Sequence, residues 1–339
     1  MEENESGQRA ATIYDVARAA GVSASTVSRA FARPGRVSFA TAERIRAVAA
    51  ELGYRSVEIR RPLAEGRQRR GTIALVVADI SNPVFFEMIR GAEEEAAKNG
   101  YTMLLAHTRE SGIIEREAIE RSMDIVDGIV LSSSRMSDAA IRSMAKQKPT
   151  LVMNRGVTGV ASVVTDNEQG VYRAVEHLRL LGHNDIAYLA GPDASWANGM
   201  RWRALKECAA EFGMKFTAFT PGVPNMDSGA AIAGKVLGSG ATAVLAYNDQ
   251  LAIGFMRQAQ ANGYSIPQDM SIIGFDNSSD AQLVTPGLTS VAAPLHALGV
   301  AAVRNLLAIA RGTASVPERP VVLPTRLAVR ASTGPRPTS

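Results

Sequence analysis

Short apolar runs alternate with longer helix-favouring stretches throughout the chain from Gly71 onward. Strands separated by helical segments are typical of parallel sheets that carry helices on both faces. The apolar runs that we predict as strands are residues 72–77, 101–106, 128–132, 151–153, 186–190, 243–247 and 272–275. Because the series restarts after residues 163–165, the alternation predicts two similar, doubly wound α/β subdomains.

The composition is that of an ordinary globular protein. Of the 339 residues, 46% are hydrophobic and 21% are charged, which excludes a disordered or collagen-like chain. Cys208 is the single cysteine, so an internal disulfide and a multi-cysteine zinc site are excluded and a reducing compartment is expected. No apolar run reaches about 18 residues, and residues 1–8 carry three glutamates instead of positive charge. We therefore expect a cytoplasmic protein with no membrane partner.

Positive charge is concentrated at the N-terminus. Residues 1–70 contain 13 arginines and no lysine against eight acidic residues, whereas residues 71–339 contain 24 basic and 25 acidic residues. A basic small module joined to a nearly neutral large body is typical of a nucleic-acid-binding protein with a second function. A solvated basic tail is the alternative that charge alone leaves open.

Residues 12–54 contain the start and stop signals of three short helices. Thr12 can cap a first helix with Asp15 in the reach-back position, Ser23 caps a second helix over residues 24–31, and Ser38 caps a third that runs to Leu52. A small core is predicted from the apolar residues at helical spacing, namely Val16, Ala20, Val22, Val27, Phe31, Val37, Ile45, Val48 and Leu52. Two short helices joined by a glycine-containing turn and followed by a packing helix predict a helix-turn-helix.

The second helix of a helix-turn-helix enters the major groove, so its exposed residues are candidates for base contacts. Arg29 can make a bidentate contact to guanine, and Ala24, Ser25 and Ser28 are exposed beside it. We expect a second group, Tyr14, Ser23 and Thr26, to donate hydrogen bonds to phosphate. For Thr26 the alternative is a polar filler of the helix.

The N-terminal module resembles the headpiece of the lactose-repressor (LacI) family of bacterial regulators. The residues that carry the resemblance are Thr12-Ile-Tyr-Asp-Val-Ala, Ala20-Gly-Val-Ser, Thr26-Val-Ser-Arg, Arg44-Ile-Arg and Leu52-Gly-Tyr. This similarity implies a hinge that forms a short helix on DNA and pushes a leucine, here Leu63, into the minor groove. Arg60 and Arg61 stand beside it as phosphate contacts.

Two residues depart from the family pattern. Ala32 stands where the family usually has asparagine, and Pro62 directly precedes Leu63. Proline lacks a backbone N–H and disfavours helical geometry in the preceding residue. The hinge helix therefore starts near Arg60 or is weak, and the alternative is a linker proline with no part in the switch.

The large body resembles the periplasmic-binding-protein-like effector core of the same family. The matching segments are Asp79-Ile-Ser-Asn-Pro-Val-Phe, Val126-Asp-Gly-Ile, Asp166-Asn, Gly182-His, Ala190-Gly-Pro, Asn248-Asp, Gly274-Phe-Asp and Arg330-Ala-Ser-Thr-Gly. The resemblance implies a headpiece (1–56), a hinge (57–70) and a ligand-binding and dimerisation core (71–339). Its subdomains are about 71–168 with 295–322, and about 169–294 with 323–333.

Ligands of open α/β sheets bind outside the carboxyl ends of the strands. The polar residues that follow predicted strands are Asp79, Asn82, Asn154, Arg155, Asn248 and Asp276. The resemblance implies that Arg201 and Asp276 grip the effector and that Phe85 forms a wall. Trp196, in the predicted loop after Ala190-Gly-Pro, can stack on a sugar ring or, alternatively, pack on the subdomain surface. Asn154 replaces an aspartate that is frequent in the family, so the ligand itself is not implied.

Enzymatic chemistry has little support in the sequence. The histidines His107, His177, His183 and His296 show no paired spacing for a metal or a triad. No G-x-G-x-x-G follows the first strand and no P-loop is present, so we expect no cofactor. The run Glu93 to Glu95 is interpreted as a solvated helix face.

The sequence therefore predicts a homodimeric repressor that binds a near-palindromic operator in double-stranded DNA and is controlled by a small polar effector, with a sugar favoured. One alternative is a global regulator that is gated by a phosphorylated carrier protein and has a vestigial cleft. A free sugar receptor is a third class, but it requires a secretory signal and has no headpiece.

Overall fold

A computed structural model describes residues 11–32, 37–52 and 70–337. The chain divides into two compact units, with the boundary between residues 68 and 69. No helix among the described residues combines the length and the apolar character needed to cross a membrane.

The first unit contains three helices, α1 (Ile13–Ala19), α2 (Ala24–Ala32) and α3 (Phe39–Glu51). Asp15 Oδ2 accepts hydrogen bonds from the Thr12 backbone N (2.9 Å) and hydroxyl (2.6 Å). Ser23 Oγ accepts from the Thr26 backbone N at 3.2 Å. Gly21 has φ +64° in the turn between α1 and α2, a conformation that glycine adopts without steric cost. The predicted helix-turn-helix is confirmed.

The apolar faces of these helices form one small core. Among its buried members are Val16, Ala20, Val27 and Ile45. Leu52 is 42% exposed, so its predicted place in this core is wrong. Leu52 is the C-cap residue of α3 and lies one position beyond the last helical residue. The side chain of Phe31 lies outside the described residues.

The second unit is an alternating α/β region. Its elements in chain order are β1 (Thr72–Val77), α4 (Val84–Lys98), β2 (Thr102–His107), α5 (Gly112–Ser122), β3 (Gly128–Ser132), α6 (Asp138–Ala145), β4 (Thr150–Met153), β5 (Ala161–Thr165), α7 (Asn167–Leu180), β6 (Asp185–Leu189), α8 (Trp196–Phe212), β7 (Lys215–Phe219), α9 (Met226–Ala231), α10 (Ala233–Leu237), β8 (Ala243–Ala246), α11 (Asp249–Ala261), β9 (Ser271–Asp276), α12 (Asp280–Leu283), β10 (Thr289–Ala292), α13 (Leu295–Ala310), β11 (Val321–Leu323) and β12 (Arg326–Ala328).

These elements form two six-stranded sheets. The first has the order β11-β5-β4-β3-β1-β2 and is parallel throughout. The second has the order β12-β10-β9-β8-β6-β7, in which β12 alone is antiparallel to its neighbour. We call the first sheet with α4–α6 and α13 the first subdomain, and the second sheet with α7–α12 the second subdomain. The predicted pair of α/β subdomains is confirmed, and β7, β10, β11 and β12 are strands that the apolar runs did not indicate.

The chain passes between the subdomains three times. It crosses after β5 into α7, returns after β10 into α13, and crosses again between β11 and β12. Each crossing is short, and the last comprises only Pro324 and Thr325. Short crossings of this kind can serve as a hinge, because a few residues at element ends can absorb the dihedral changes of domain closure.

Two glycines let α4 and α13 cross at close range in the first subdomain. A Cβ atom on Gly91 would lie 2.1 Å from the backbone O of His296, and one on Gly299 would lie 2.1 Å from the backbone O of Met88. Both contacts are with backbone, which cannot move without displacing a helix.

We therefore expect Gly91→Ala to lower the free energy of unfolding by about 1–3 kcal/mol, the usual cost of overpacking a core. Gly199→Ala in α8 is the matched control, since no atom lies within 4 Å of its Cβ position. The control should be neutral or stabilising by up to about 1 kcal/mol, because alanine is the better helix former. Urea unfolding of both variants measures the difference, and equal stabilities would contradict the close crossing.

Candidate functional site

The carboxyl ends of the strands of both sheets border a cleft between the two subdomains. Its inner pocket has a volume of about 50 Å³. The predicted effector residues that line it are Asn82, Phe85, Asn154, Arg201, Asn248 and Asp276. The first three belong to the first subdomain and the last three to the second, so the structure brings these six together.

Arg201 projects from α8 and is held on all sides. Its Nε donates to Asn167 Oδ1 at 2.8 Å, its Nη1 donates to the backbone O of Tyr247, and its Nη2 lies 3.4 Å from Asp276 Oδ1. The guanidinium carbon lies 3.4 Å from the centroid of the Phe275 ring, a cation–π arrangement. Both Arg201 and Asp276 are buried, so their pairing is a fixed donor and acceptor at the base of the pocket.

Burial changes the protonation of the acids on this side of the pocket. It raises the pKa of Asp276 to about 6, against the opposing effect of the Arg201 charge. Burial also raises the pKa of Asp249, beneath the pocket, to about 7, with a further contribution from the Asp276 charge. The negative charge of Asp276 thus disfavours ionisation of Asp249.

Asp249 supports the turn that carries Asp276. Its Oδ1 accepts from Ser290 Oγ at 2.6 Å, and its Oδ2 accepts from the Ser278 backbone N at 2.7 Å. A Cβ atom on Gly274 would lie 2.2 Å from Asp249 Oδ1, so glycine is required where this acid rests against β9. Asp249 thus ties α11 to the segment that presents Asp276.

Several residues with strained backbone conformations lie at the strand ends that form the cleft. Positive φ angles occur at Glu110 (58°), Ser133 (56°), Asn154 (56°) and Asp276 (102°). These residues follow or end β2, β3, β4 and β9 respectively. Non-glycine residues in this region are uncommon and cluster at ligand sites, where surrounding contacts hold them.

Asn154 and Asn248 already have partners within their own subdomains. Asn154 Oδ1 accepts from Thr165 Oγ1 at 3.2 Å. Asn248 caps α11 by accepting from the Leu251 backbone N at 3.0 Å, and its Nδ2 donates to the backbone O of Pro224 at 3.0 Å. The positions of both amides are therefore fixed by the protein before any ligand binds.

Arg155 and Trp196 lie outside the inner pocket. They line a separate pocket of about 400 Å³. Arg155 donates to the backbone O atoms of Ser134 and Met136 at 2.9 and 2.7 Å, and its Nη2 lies 2.5 Å from Asp138 Oδ1. Trp196 is the first residue of α8 and does not lie in a loop as predicted. Ser195 caps this helix, which is why it begins there.

Asp79 lines a larger outer chamber of about 790 Å³, which borders the inner pocket because Glu110, Arg135 and Pro224 line both. The chamber also contains Glu110 and Arg135, whose Oε2 and Nε atoms are 2.5 Å apart. This pair and His107 were not predicted as site residues, although His107 ends β2 and the other two lie three positions after β2 and β3. The rule that found Asn154 after β4 would have found them as well.

His183 and Cys208 are buried in the second subdomain and do not line the cleft. Buried His183 contacts Thr242 Oγ1 at 2.8 Å and Ser271 Oγ at 3.0 Å, and burial lowers its pKa. Burial raises the pKa of the Cys208 thiol to about 11, since it disfavours the charged thiolate. Across residues 11–32, 37–52 and 70–337, no cluster of three or more histidine, cysteine or acidic side chains could hold a metal ion.

In the first unit, the predicted phosphate donors surround the start of α2. Ser23 Oγ lies 2.8 Å from Thr26 Oγ1 and 2.9 Å from Ser25 Oγ. Tyr14 and Ser28 are exposed, and Ala24 is half-buried. Arg29 belongs to α2, but its side chain lies outside the described residues, as do Arg60, Arg61 and Leu63.

Comparison with known proteins reveals similarity over nearly the whole chain. The family described as "Bacterial regulatory proteins, lacI family" matches residues 12–56, and the family described as "Periplasmic binding protein-like domain" matches residues 175–333. The HTH-type transcriptional regulator DegA of Bacillus subtilis (strain 168) is 34% identical over 96% of this chain and 98% of its own.

Two solved structures show the same architecture. The transcriptional regulator CelR–cellobiose complex is 28% identical, with a TM-score of 0.71 and coverage of 95% of this chain and 99% of that chain. The lac repressor dimer bound to operator and the anti-inducer ONPF is 27% identical, with a TM-score of 0.74 and coverage of 96% and 100%.

Proposed function

Because the chain belongs to the lacI family of bacterial regulatory proteins and is a DNA-binding transcriptional regulator, we propose that it is a repressor whose operator affinity is controlled by a sugar-type effector. The buried Arg201–Asp276 pair at the base of the cleft carries this proposal. The protein holds this pair in place at the base of a cleft, where polar side chains from both subdomains converge, and such a set of fixed donors and acceptors suits a polar ligand. The alternative with a vestigial cleft and a protein partner is therefore not favoured.

The chemistry of the inner pocket fits a polyhydroxylated ligand, with a sugar ahead of a nucleoside. Arg201, Asp276 and Asn248 offer donors and acceptors from one subdomain, and Asn82 and Asn154 offer them from the other. Hydroxyl groups both donate and accept, so they can satisfy such a mixed set. The similar CelR structure holds cellobiose, which supports a carbohydrate here. Arg155, Trp196 and Asp79 contact the effector in this proposal only from the neighbouring pockets.

Closure of the subdomains about their three crossings is the switch in this proposal. A ligand held from both sides of the cleft favours the closed arrangement, and the differential affinity for the two arrangements sets the size of the response. Residues 57–70 then transmit the change from the core, residues 71–339, to the headpiece, residues 1–56. Within these residues, Leu63 is the proposed wedge in the minor groove, and Pro62 limits the helix that can form beside it.

A homodimer is proposed as the DNA-binding form. One reading helix per chain covers one half-site, and a two-fold dimer matches a near-palindromic operator. Strand β2 is the edge of the first sheet and carries the exposed leucines Leu104 and Leu105. An exposed apolar edge strand is prone to association unless something covers it. We place the dimer contact of the core on this edge.

The experiment that tests the effector proposal uses the full chain. Fragments selected from genomic DNA by binding supply an operator, whose affinity is then measured with and without a panel of sugars and nucleosides. We expect one sugar to change operator affinity by about 5- to 150-fold, the usual range of allosteric coupling. A response to a phosphorylated carrier protein, with none to any small molecule, would support the partner-gated alternative instead.

Arg29→Ala tests the base-reading role of α2. If Arg29 makes a bidentate contact to guanine, its loss costs about 1–3 kcal/mol and relaxes the preference at one position in each half-site. Arg18→Ala, an exposed arginine in the last turn of α1, is the matched control and should leave the base preference unchanged. Base preferences are read from selection of randomised operators, and an unchanged profile for Arg29→Ala would remove this residue from direct readout.

A further inference from the structure

The cleft has two compartments of very different size. The inner pocket measures about 50 Å³ and the outer chamber about 790 Å³. Pockets that hold a small ligand usually measure about 300–1,000 Å³. The inner pocket alone is therefore too small for a whole ligand, and most of a bound molecule would occupy the outer chamber.

The two walls of the outer chamber differ in chemistry. Asp79, His107 and the Glu110–Arg135 pair come from the first subdomain. Pro192, Ala194, Gly222, Val223 and Pro224 come from two loops of the second subdomain and form an apolar wall opposite them. Val223 is 62% exposed. A flat molecule with one apolar face and polar edges would match such a chamber.

The junction between the compartments is rigid. Glu110 and Arg135 line both the inner pocket and the outer chamber. The Arg135 backbone N donates to Glu115 Oε2 at 2.9 Å, and Glu115 is itself buried. The Glu110 backbone N donates to the O of Ala78 at 2.9 Å, at a positive φ of 58°. The Glu110–Arg135 pair is thus held in place at the border, as Arg201–Asp276 is held in the inner pocket.

From this arrangement we propose that the effector consists of two linked sugar rings, a disaccharide or a glycoside of that size. This inference rests on the proposed function and adds the size of the ligand. One ring presents its hydroxyl edge to Arg201 and Asp276 in the inner pocket. The second ring lies in the outer chamber between the Glu110–Arg135 pair and the apolar wall, and it determines specificity.

A pyranose ring has the two kinds of surface that the chamber offers. Its C–H face packs on Val223 and Pro224, and its hydroxyl edge reaches the Glu110–Arg135 pair. His107 Nε2 is buried and has no hydrogen-bond partner among the described residues, with Asp79 Oδ1 at 3.5 Å. Both side chains line the chamber on the wall that faces the hydroxyl edge of the ring.

Calorimetry on the full chain tests the proposal with matched probes. Each disaccharide is compared with its own constituent monosaccharides, for example cellobiose with D-glucose, and lactose with D-galactose and D-glucose. We expect at least one disaccharide to bind tenfold or more tightly than either of its constituents.

Val223→Asp tests the position of the second ring. An aspartate on the apolar wall removes the packing surface, so the ratio of disaccharide to monosaccharide affinity should fall close to one. Val316→Asp is the matched control, since Val316 is also an exposed valine in a loop, at 44% exposure, and lies outside the residues that line the cleft. The control should keep the ratio of the unsubstituted chain. Thermal unfolding of both variants verifies that neither has lost its fold.

The possible results distinguish failure of the two-ring inference from failure of the sugar effector itself. If a monosaccharide binds as tightly as its disaccharide, the two-ring inference is overturned and the sugar effector stands. If neither class binds, both the inference and the sugar effector are overturned. If Val223→Asp lowers both affinities by the same factor, the second ring does not lie on the apolar wall and the inference fails.

Discussion

Asp276→Asn lowers the affinity for the effector by about 10- to 150-fold and leaves operator binding intact. Hydrogen bonds to charged groups contribute about 1.5–3 kcal/mol, and about 1.4 kcal/mol corresponds to a tenfold change in affinity. The asparagine keeps the shape of the side chain but removes its charge and one acceptor. Operator binding persists because the helix-turn-helix lies in the other unit of the chain. Calorimetry with the effector and titration of operator DNA measure the two effects separately.

The pH dependence of the same variant provides an independent check. With a pKa of about 6, Asp276 becomes protonated as the pH falls through 6, and the affinity of the unsubstituted chain for a sugar should fall with it. Asp276→Asn should lack this titration. The stability of the fold responds in the opposite direction. The pKa in the folded chain exceeds the ordinary 3.8, so the stabilisation from protonation is complete below pH 3.8 and is lost as the pH rises through 6.

Asp124→Asn is the control for both measurements, because Asp124 is exposed and lies in the turn after α5, outside the residues that line the cleft. It should retain both the affinity and its pH dependence. Full effector affinity in Asp276→Asn would remove Asp276 from the site. A loss of effector and operator binding together would show that the variant has misfolded.

One physical rule predicted from the sequence that Asn82, Asn154, Asn248 and Asp276 gather at the strand ends, and other residues depart from that rule. Parallel strands end at one edge, so Asn154 after β4 and Asp276 at the end of β9 meet although they are 122 positions apart. Arg155 follows the same strand but turns away, because the positive φ of Asn154 directs the next residue toward the start of α6. Sequence spacing alone cannot reveal such a local reversal.

Long-range pairing explains why two of the strands, β11 and β12, were not predicted from the apolar runs. β11 and β12 have three residues each and form only because the chain returns to pair with β5 and β10. Asp249 was also missed, since its role depends on Ser278 and Ser290, which lie 29 and 41 positions away. Contacts of this range arise from the assembled sheet and have no local signature.

Leu105→Asp abolishes the preference for a palindromic operator. A dimer that places two reading helices on two half-sites should bind the full palindrome more tightly than one half-site, because each base pair lost from a specific site costs about 1–3 kcal/mol. Leu105 is 47% exposed on the edge strand β2. A two-fold contact brings each residue close to its own copy or to a neighbour of that copy. An aspartate at position 105 would therefore be buried in the interface or repelled by the same aspartate of the second protomer.

Sedimentation of the variant should show monomers, and its affinity for the palindrome should fall to that for the half-site. Leu180→Asp, at an exposed leucine in the last turn of α7 in the second subdomain, is the matched control and should remain dimeric. Deletion of residues 1–70 should also leave a dimer, because the contact lies in the core. If Leu105→Asp stays dimeric and still prefers the palindrome, the contact lies elsewhere. If the unsubstituted chain is monomeric and binds a half-site as tightly as the palindrome, the dimer proposal is wrong, and a single headpiece must supply all of the sequence specificity.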